Sequence, residues 1–117
     1  MSRMSRVIFV SDDLMFWSRV TGLARAAGVD AVRLSDEAAM ERAFQEGGVV
    51  RVIADLACRG VDLTAWAAKW KTADPVPELV AFGSHVNEAA LAAARAAGFD
   101  RVMPNSRFNR ELPDLVR

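Results

Sequence analysis

Apolar residues fall along this chain in two alternating rhythms. Short β-branched runs, such as Arg6-Val7-Ile8-Phe9-Val10 and Val49-Val50-Arg51-Val52-Ile53-Ala54, are separated by longer alanine-rich stretches whose apolar positions recur at three and four. Strand-length apolar runs mark strands buried on both faces, and the three-four spacing marks amphipathic helices, so the alternation predicts βαβ units. A first strand over 6–10 leads into a helix over 14–27, with Asp12 or Asp13 as its cap and Gly28 as its stop. A strand over 29–34 follows, then a helix over 36–45 capped by Ser35 and halted by Gly47-Gly48. The third strand, 50–54, closes on Asp55. A loop through Arg59-Gly60 then precedes a helix over 63–72. The fourth strand is 78–82, with Gly83-Ser84-His85 as its exit loop, and Asn87 caps a helix that ends at Gly98. A fifth strand over 101–103 leaves 109–116 as a short helix at best, because Pro113 removes a backbone donor.

The order is (βα)5. Right-handed crossovers with helices on both faces make it a doubly wound parallel sheet, with expected strand order 2-1-3-4-5. Ligands in such sheets gather at the carboxyl ends of the strands. Ser11, Asp12, Asp13, Asp55, Ser84, His85 and Asn105 are therefore expected around one crevice.

Composition narrows the function. The 117 residues, 52% apolar and 26% charged, fit one folded domain over 1–117. Fifteen basic residues balance fifteen acidic ones, so no global field draws in nucleic acid or an anionic membrane. No apolar run approaches the ~20 residues of a membrane span, and the amino-terminal run is too short for a signal-peptide core. A cytoplasmic location is the resulting expectation. The single cysteine, Cys58, cannot form an internal disulfide and reads as a small core or loop residue.

Three segments then carry a resemblance. Asp55-Leu56-Ala57-Cys58-Arg59-Gly60-Val61-Asp62-Leu63, Ala96-Ala97-Gly98-Phe99-Asp100-Arg101-Val102 and Val80-Ala81-Phe82-Gly83-Ser84-His85 are similar to matching stretches of the receiver domain of bacterial response regulators, over nearly the whole chain. The resemblance implies a flavodoxin-like (βα)5 three-layer sandwich with Asp55 as the phosphoacceptor. It also implies Mg²⁺ binding by two acids after strand 1. Counting back from Gly28 puts Ser11 on the first acid and Asp12 on the second; a one-residue shift would make the pair Asp12 and Asp13.

The departures from the family pattern lie in the site. Gly83 replaces the hydroxyl residue that contacts the phosphoryl group, with Ser84 next door. Asn105, followed by Ser106, replaces the strand-5 lysine, and only Arg107 nearby is positive. Phosphoryl transfer to a carboxylate relies on a divalent metal and on fixed cationic or hydroxyl donors. Asp12 and Asp55, with a carbonyl such as that of Ala57, form the reduced Mg²⁺ donor set, and loss of the lysine removes a charge-assisted contact of about 1.5–3 kcal/mol.

The other candidates read as structure. Asp12 and Asp13 suit plain helix caps. His85 has no Cys or His companion for a metal site. Ser84 lacks the G-x-S-x-G elbow, and no phosphate-binding glycine motif is present. Leu63, Trp66, Ala67 and Trp70 share a core-facing helical stripe, whereas Met15-Phe16-Trp17 cannot all be buried.

The resulting expectation is a stand-alone, non-enzymatic, atypical receiver-like domain that signals through protein–protein contact, with weak or lost phosphorylation at Asp55 and weak or absent Mg²⁺. Its partner would be a sensor kinase, another signalling protein or a second copy. The alternative is a small-molecule or nucleotide-binding domain using the same crevice, with Ser11, Ser84 and Asn105 as neutral donors. It requires an enclosed, largely apolar pocket of roughly 300 Å³ or more.

Overall fold

Helices cover both faces of a five-stranded parallel sheet in the computed structural model, which describes residues 5–117. In chain order the elements are β1 (Arg6–Val10), α1 (Leu14–Ala27), β2 (Asp30–Leu34), α2 (Glu37–Glu46), β3 (Val49–Asp55), α3 (Leu63–Trp70), β4 (Glu78–Gly83), α4 (Glu88–Ala97), β5 (Arg101–Pro104) and α5 (Asn105–Leu115). The strands lie in the order β2-β1-β3-β4-β5, the flavodoxin-like arrangement.

Alternation along each strand divides the core. Ile8, Val10, Val52, Ala54, Leu79 and Ala81 face α2, α3 and α4, where they meet Met40, Trp66, Trp70 and Ala94. Val7, Phe9, Ile53, Val80, Phe82 and Met103 face α1 and α5, where they meet Val20, Ala24, Phe108, Leu112 and Leu115. Both faces are therefore dry, which is why the central strands read as unbroken apolar runs. Trp66 and Trp70 belong to the core, and Met15 is the member of its apolar triplet that lies out in solvent.

The helix ends follow local chemistry, with some corrections. Asp13 caps α1, accepting from the Met15 and Phe16 amides, and Gly28 ends the helix at φ 70°. Asp36, not Ser35, caps α2, because its carboxylate reaches the Ala39 amide at 2.8 Å. The third strand extends through Asp55, and α3 stops at Trp70.

The largest difference is α5, which spans 11 residues instead of a short helix at best over 109–116. Phe108, Leu112 and Leu115 recur at i, i+4 and i+7, and all three are fully buried. Three such side chains contribute about 1.5–3 kcal/mol each, and Pro113 forfeits only one hydrogen bond near the helix end. Because α5 follows β5 directly, Asn105 is the first helical residue and not part of a loop.

At the amino-terminal edge of the sheet Glu78 accepts from Arg51 Nε at 2.7 Å and from Arg101 Nε at 3.0 Å. Arg51 also donates to the Leu115 carbonyl. One carboxylate thus ties β3, β4 and β5 together, and one guanidinium fastens the carboxyl end of α5, where a cation suits the helix dipole.

Candidate functional site

Asp55 ends the central strand β3, in register with Phe82 of β4, and is only 8% exposed. Each carboxylate oxygen accepts one hydrogen bond. Oδ1 accepts from the Ala57 amide at 2.9 Å, and Oδ2 accepts from the Ser11 hydroxyl at 2.6 Å. Ser11, fully buried just beyond β1, is held by its amide on the Leu34 carbonyl at 3.1 Å. Its Oγ also accepts from the Asp13 amide at 2.9 Å, and its carbonyl accepts from Arg33 Nη1 at 3.0 Å. The ends of β1, β2 and β3 are thereby bound together through one serine.

Of the neighbouring acids, Asp13 is engaged as the α1 cap and Asp12 is exposed. The buried Cys58 lies beside Asp12. Burial pushes its thiol above the ordinary value; the Gly60 amide acts in the opposite direction, and the negative charge of Asp12 adds to the rise. Among the described residues no three His, Cys, Asp or Glu side chains converge to hold a metal ion. Asp12 and Asp55 remain as two carboxylates, one with both oxygens already bonded, beside a neutral Ser11. Mg²⁺ takes one or two protein carboxylates plus water, so these residues form a reduced donor set in which Ser11 contributes no charge.

The other expected residues reach the same end of the sheet without joining Asp55. Ser84, His85 and Asn105 are exposed, and the Ser84 hydroxyl accepts from the Val86 amide at 3.4 Å. The position of the missing hydroxyl is tight: a Cβ on Gly83 would meet Leu56 Cβ and Cδ1, each at 3.3 Å, so Leu56 would have to shift by a few tenths of an ångström. Leu56 therefore packs against the space that a serine or threonine side chain would enter.

The loop after Asp55 is strapped to α2. A Cβ on Gly60 would lie 2.1 Å from the Ser35 carbonyl oxygen, so only glycine permits this approach. Glu37 accepts from the Asp62 amide and from the Trp66 indole N–H, both at 2.6 Å. Trp66 is thus tied to the Asp55 loop, whereas Trp17 on α1 stacks over Phe9 at 6.2 Å.

Surface clefts are small. Five measure about 210–250 Å³, and none is lined by Asp12 or Asp55. No described helix is long and apolar enough to cross a membrane.

The strand order, with an acid at the end of β3 facing the end of β1, defines the fold of a response-regulator receiver domain. Solved structures agree. A signal receiver domain from Bermanella marisrubri superposes with a TM-score of 0.76 at 14% identity, covering 98% of this chain and 100% of that one. The signal receiver domain of an HD domain-containing protein from Pseudomonas fluorescens gives 0.76 at 13% identity, covering 97% and 95%. A beryllofluoride-activated NtrC4 receiver domain dimer gives 0.75 at 15% identity, covering 97% of each chain. No family model matches the sequence, and no curated protein matches it significantly.

Two residues of the site escaped the sequence reading. Glu37 lies in the first turn of α2, where an acid suits the helix dipole, and nothing local indicates that it reaches across to α3. Arg33 carried a signal: it is a charge set between Val32 and Leu34 in an otherwise apolar stretch.

Proposed function

We propose that this chain is an atypical receiver-like signalling module that works through protein–protein contact and not as an enzyme, with phosphorylation at Asp55 weak or lost. The observation that carries this reading is the buried Asp55 carboxylate, each oxygen accepting a hydrogen bond, one from Ser11 at 2.6 Å, on a receiver fold. A nucleophilic carboxylate needs a free oxygen, a metal to screen the incoming phosphate, and donors for its equatorial oxygens. Here the first oxygen is tied back, the metal set is thin, Gly83 supplies no hydroxyl and Asn105 supplies no charge. Mg²⁺ binding is correspondingly weak or absent. The partner is a sensor kinase, another signalling protein or a second copy. Small-molecule binding is less well supported, because the clefts described fall below the usual ligand-pocket size and avoid Asp55.

The test is a beryllofluoride titration with Mg²⁺, followed by tryptophan fluorescence and by sedimentation, on the wild type and Asp55→Asn. Trp66 is the reporter, since Glu37 links it to the Asp55 loop. The expected result is no response, or a partial one at millimolar concentration that Asp55→Asn removes. A saturating response at micromolar concentration, with a change in association state, would overturn the weak-phosphorylation reading.

A further inference from the structure

Four arginines are half-buried among the described residues: Arg6, Arg33, Arg51 and Arg101. Three of them lie against carboxylates, Arg6 with Asp30 and Glu46, and Arg51 and Arg101 with Glu78. Arg33 alone of the four makes no ion pair; its recorded bond is from Nη1 to the Ser11 carbonyl at 3.0 Å. A partly desolvated guanidinium is ordinarily paired, so an unpaired one at the end of a strand needs a reason. The residue it touches is the one whose hydroxyl holds Asp55 and whose next neighbour is Asp12. Of the remaining described arginines, all are exposed.

We infer that Arg33 is a resident counter-charge for the Asp12–Asp55 crevice, delivered from β2, and that it disfavours a divalent cation there. The inference rests on the proposed function's thin metal set, with Asp12 and Asp55 as its carboxylates, but not on whether Asp55 is phosphorylated. The guanidinium spreads its charge over a plane and keeps it at every physiological pH, so its influence on the crevice is permanent where a metal's would come and go. It approaches from the β1–β2 side, opposite the β5 side on which Asn105 stands. It therefore balances the carboxylates without offering the in-line donor that a transferred phosphoryl group would use. A positive charge near a cation site opposes binding by Coulomb repulsion, doubled for a divalent ion.

The experiment uses Mg²⁺ alone, titrated by calorimetry and by amide chemical shifts into the wild type, Arg33→Gln, Arg33→Lys and Arg110→Gln, the last being exposed on α5. Arg33→Gln should bind Mg²⁺ about threefold to tenfold more tightly at low salt, with the shifts centred on Asp12 and Asp55. Arg33→Lys, which keeps the charge, and Arg110→Gln, which alters only the net charge, should match the wild type. Equal Mg²⁺ affinity, or equal absence of binding, in wild type and Arg33→Gln overturns the inference. So does a tightening in Arg33→Lys as large as in Arg33→Gln, which would make Arg33 only a strap on the Ser11 carbonyl. A saturating beryllofluoride response in the wild type would instead sink the weak-phosphorylation reading and leave the Arg33 comparison intact.

Discussion

Ser11→Asp should make the stability of this domain depend on Mg²⁺. Ser11 is fully buried, and its hydroxyl meets Asp55 Oδ2 at 2.6 Å. Losing that donor removes a hydrogen bond to an ionised group, about 1.5–3 kcal/mol. A second carboxylate in the same place adds like-charge repulsion of about 4 kcal/mol at 4 Å and an effective dielectric constant of 20, which the pair relieves by sharing a proton. The net loss at neutral pH without divalent ions is about 2–5 kcal/mol, a large share of the 5–15 kcal/mol that holds a domain of this kind. Because the shared proton is bound more readily in acid, the loss should shrink as the pH falls from 7 towards 5. Mg²⁺ at about 100 times its dissociation constant should return about 2.7 kcal/mol by mass action.

Urea unfolding of Ser11→Asp, with EDTA and with Mg²⁺, measures these effects, with Ser11→Ala as the control that loses the hydrogen bond without adding charge. Ser11→Ala should lose about 1.5–3 kcal/mol and ignore Mg²⁺. If Ser11→Asp matches the wild type in EDTA, or remains destabilised alone in saturating Mg²⁺, then Ser11 and Asp55 do not face one another as a carboxylate pair would.

Two further outcomes follow from the charge map. Burial opposes ionisation of Glu78, but the hydrogen bonds and charges of Arg101 and Arg51 together outweigh it and hold its carboxyl below the ordinary value. Its contribution is therefore present above the unfolded carboxyl value and lost as the pH falls through the depressed one. With Glu78 31% and Arg101 37% exposed, solvent screening leaves about 1–2 kcal/mol, so Glu78→Gln should cost that much at pH 7 and progressively less as the pH falls below the ordinary carboxylate range. A loss that does not shrink with falling pH would remove the electrostatic explanation. For Cys58, burial raises the thiol value, so its stabilising contribution is present below the unfolded thiol value and fades as the pH rises through the folded one. Native protein should react with a disulfide reagent at pH 8 at least about tenfold more slowly than urea-unfolded protein; equal rates would place Cys58 outside the core.

Periodicity made the sheet legible because each central strand is buried on both faces and each helix on one. The exception was α5, where Pro113 was given more weight than the spacing of Phe108, Leu112 and Leu115, although a proline near a helix end forfeits a single bond. The site was legible one residue at a time: Asp55 from its place at the end of an apolar run, Asp13 as a cap, and Ser11 as a neutral substitute for an acid. The joining of Ser11 to Asp55 depends on β1 and β3 being neighbours, and the reach of Arg33 to Ser11 depends on β2 flanking β1. Both are contacts between strands that sequence spacing cannot supply. Ser84 and Asn105 were placed at the correct end of the sheet, but exit-loop and helix-start geometry leaves them exposed and apart from Asp55.

The departures in the site act in the same electrostatic direction for a metal. In the register counted back from Gly28, Ser11 stands where the resembled family has an acid and so takes one negative charge from the site, and Arg33 donates to the carbonyl of the same residue. Either change alone would weaken a divalent site by one charge, and Asp55 already accepts from a hydroxyl and an amide. None of these residues belongs to the two apolar clusters that hold the fold. The site can therefore change its chemistry while β1, β3 and β4 stay packed, and under the proposed function the loops at their carboxyl ends are the surface that a protein partner would contact.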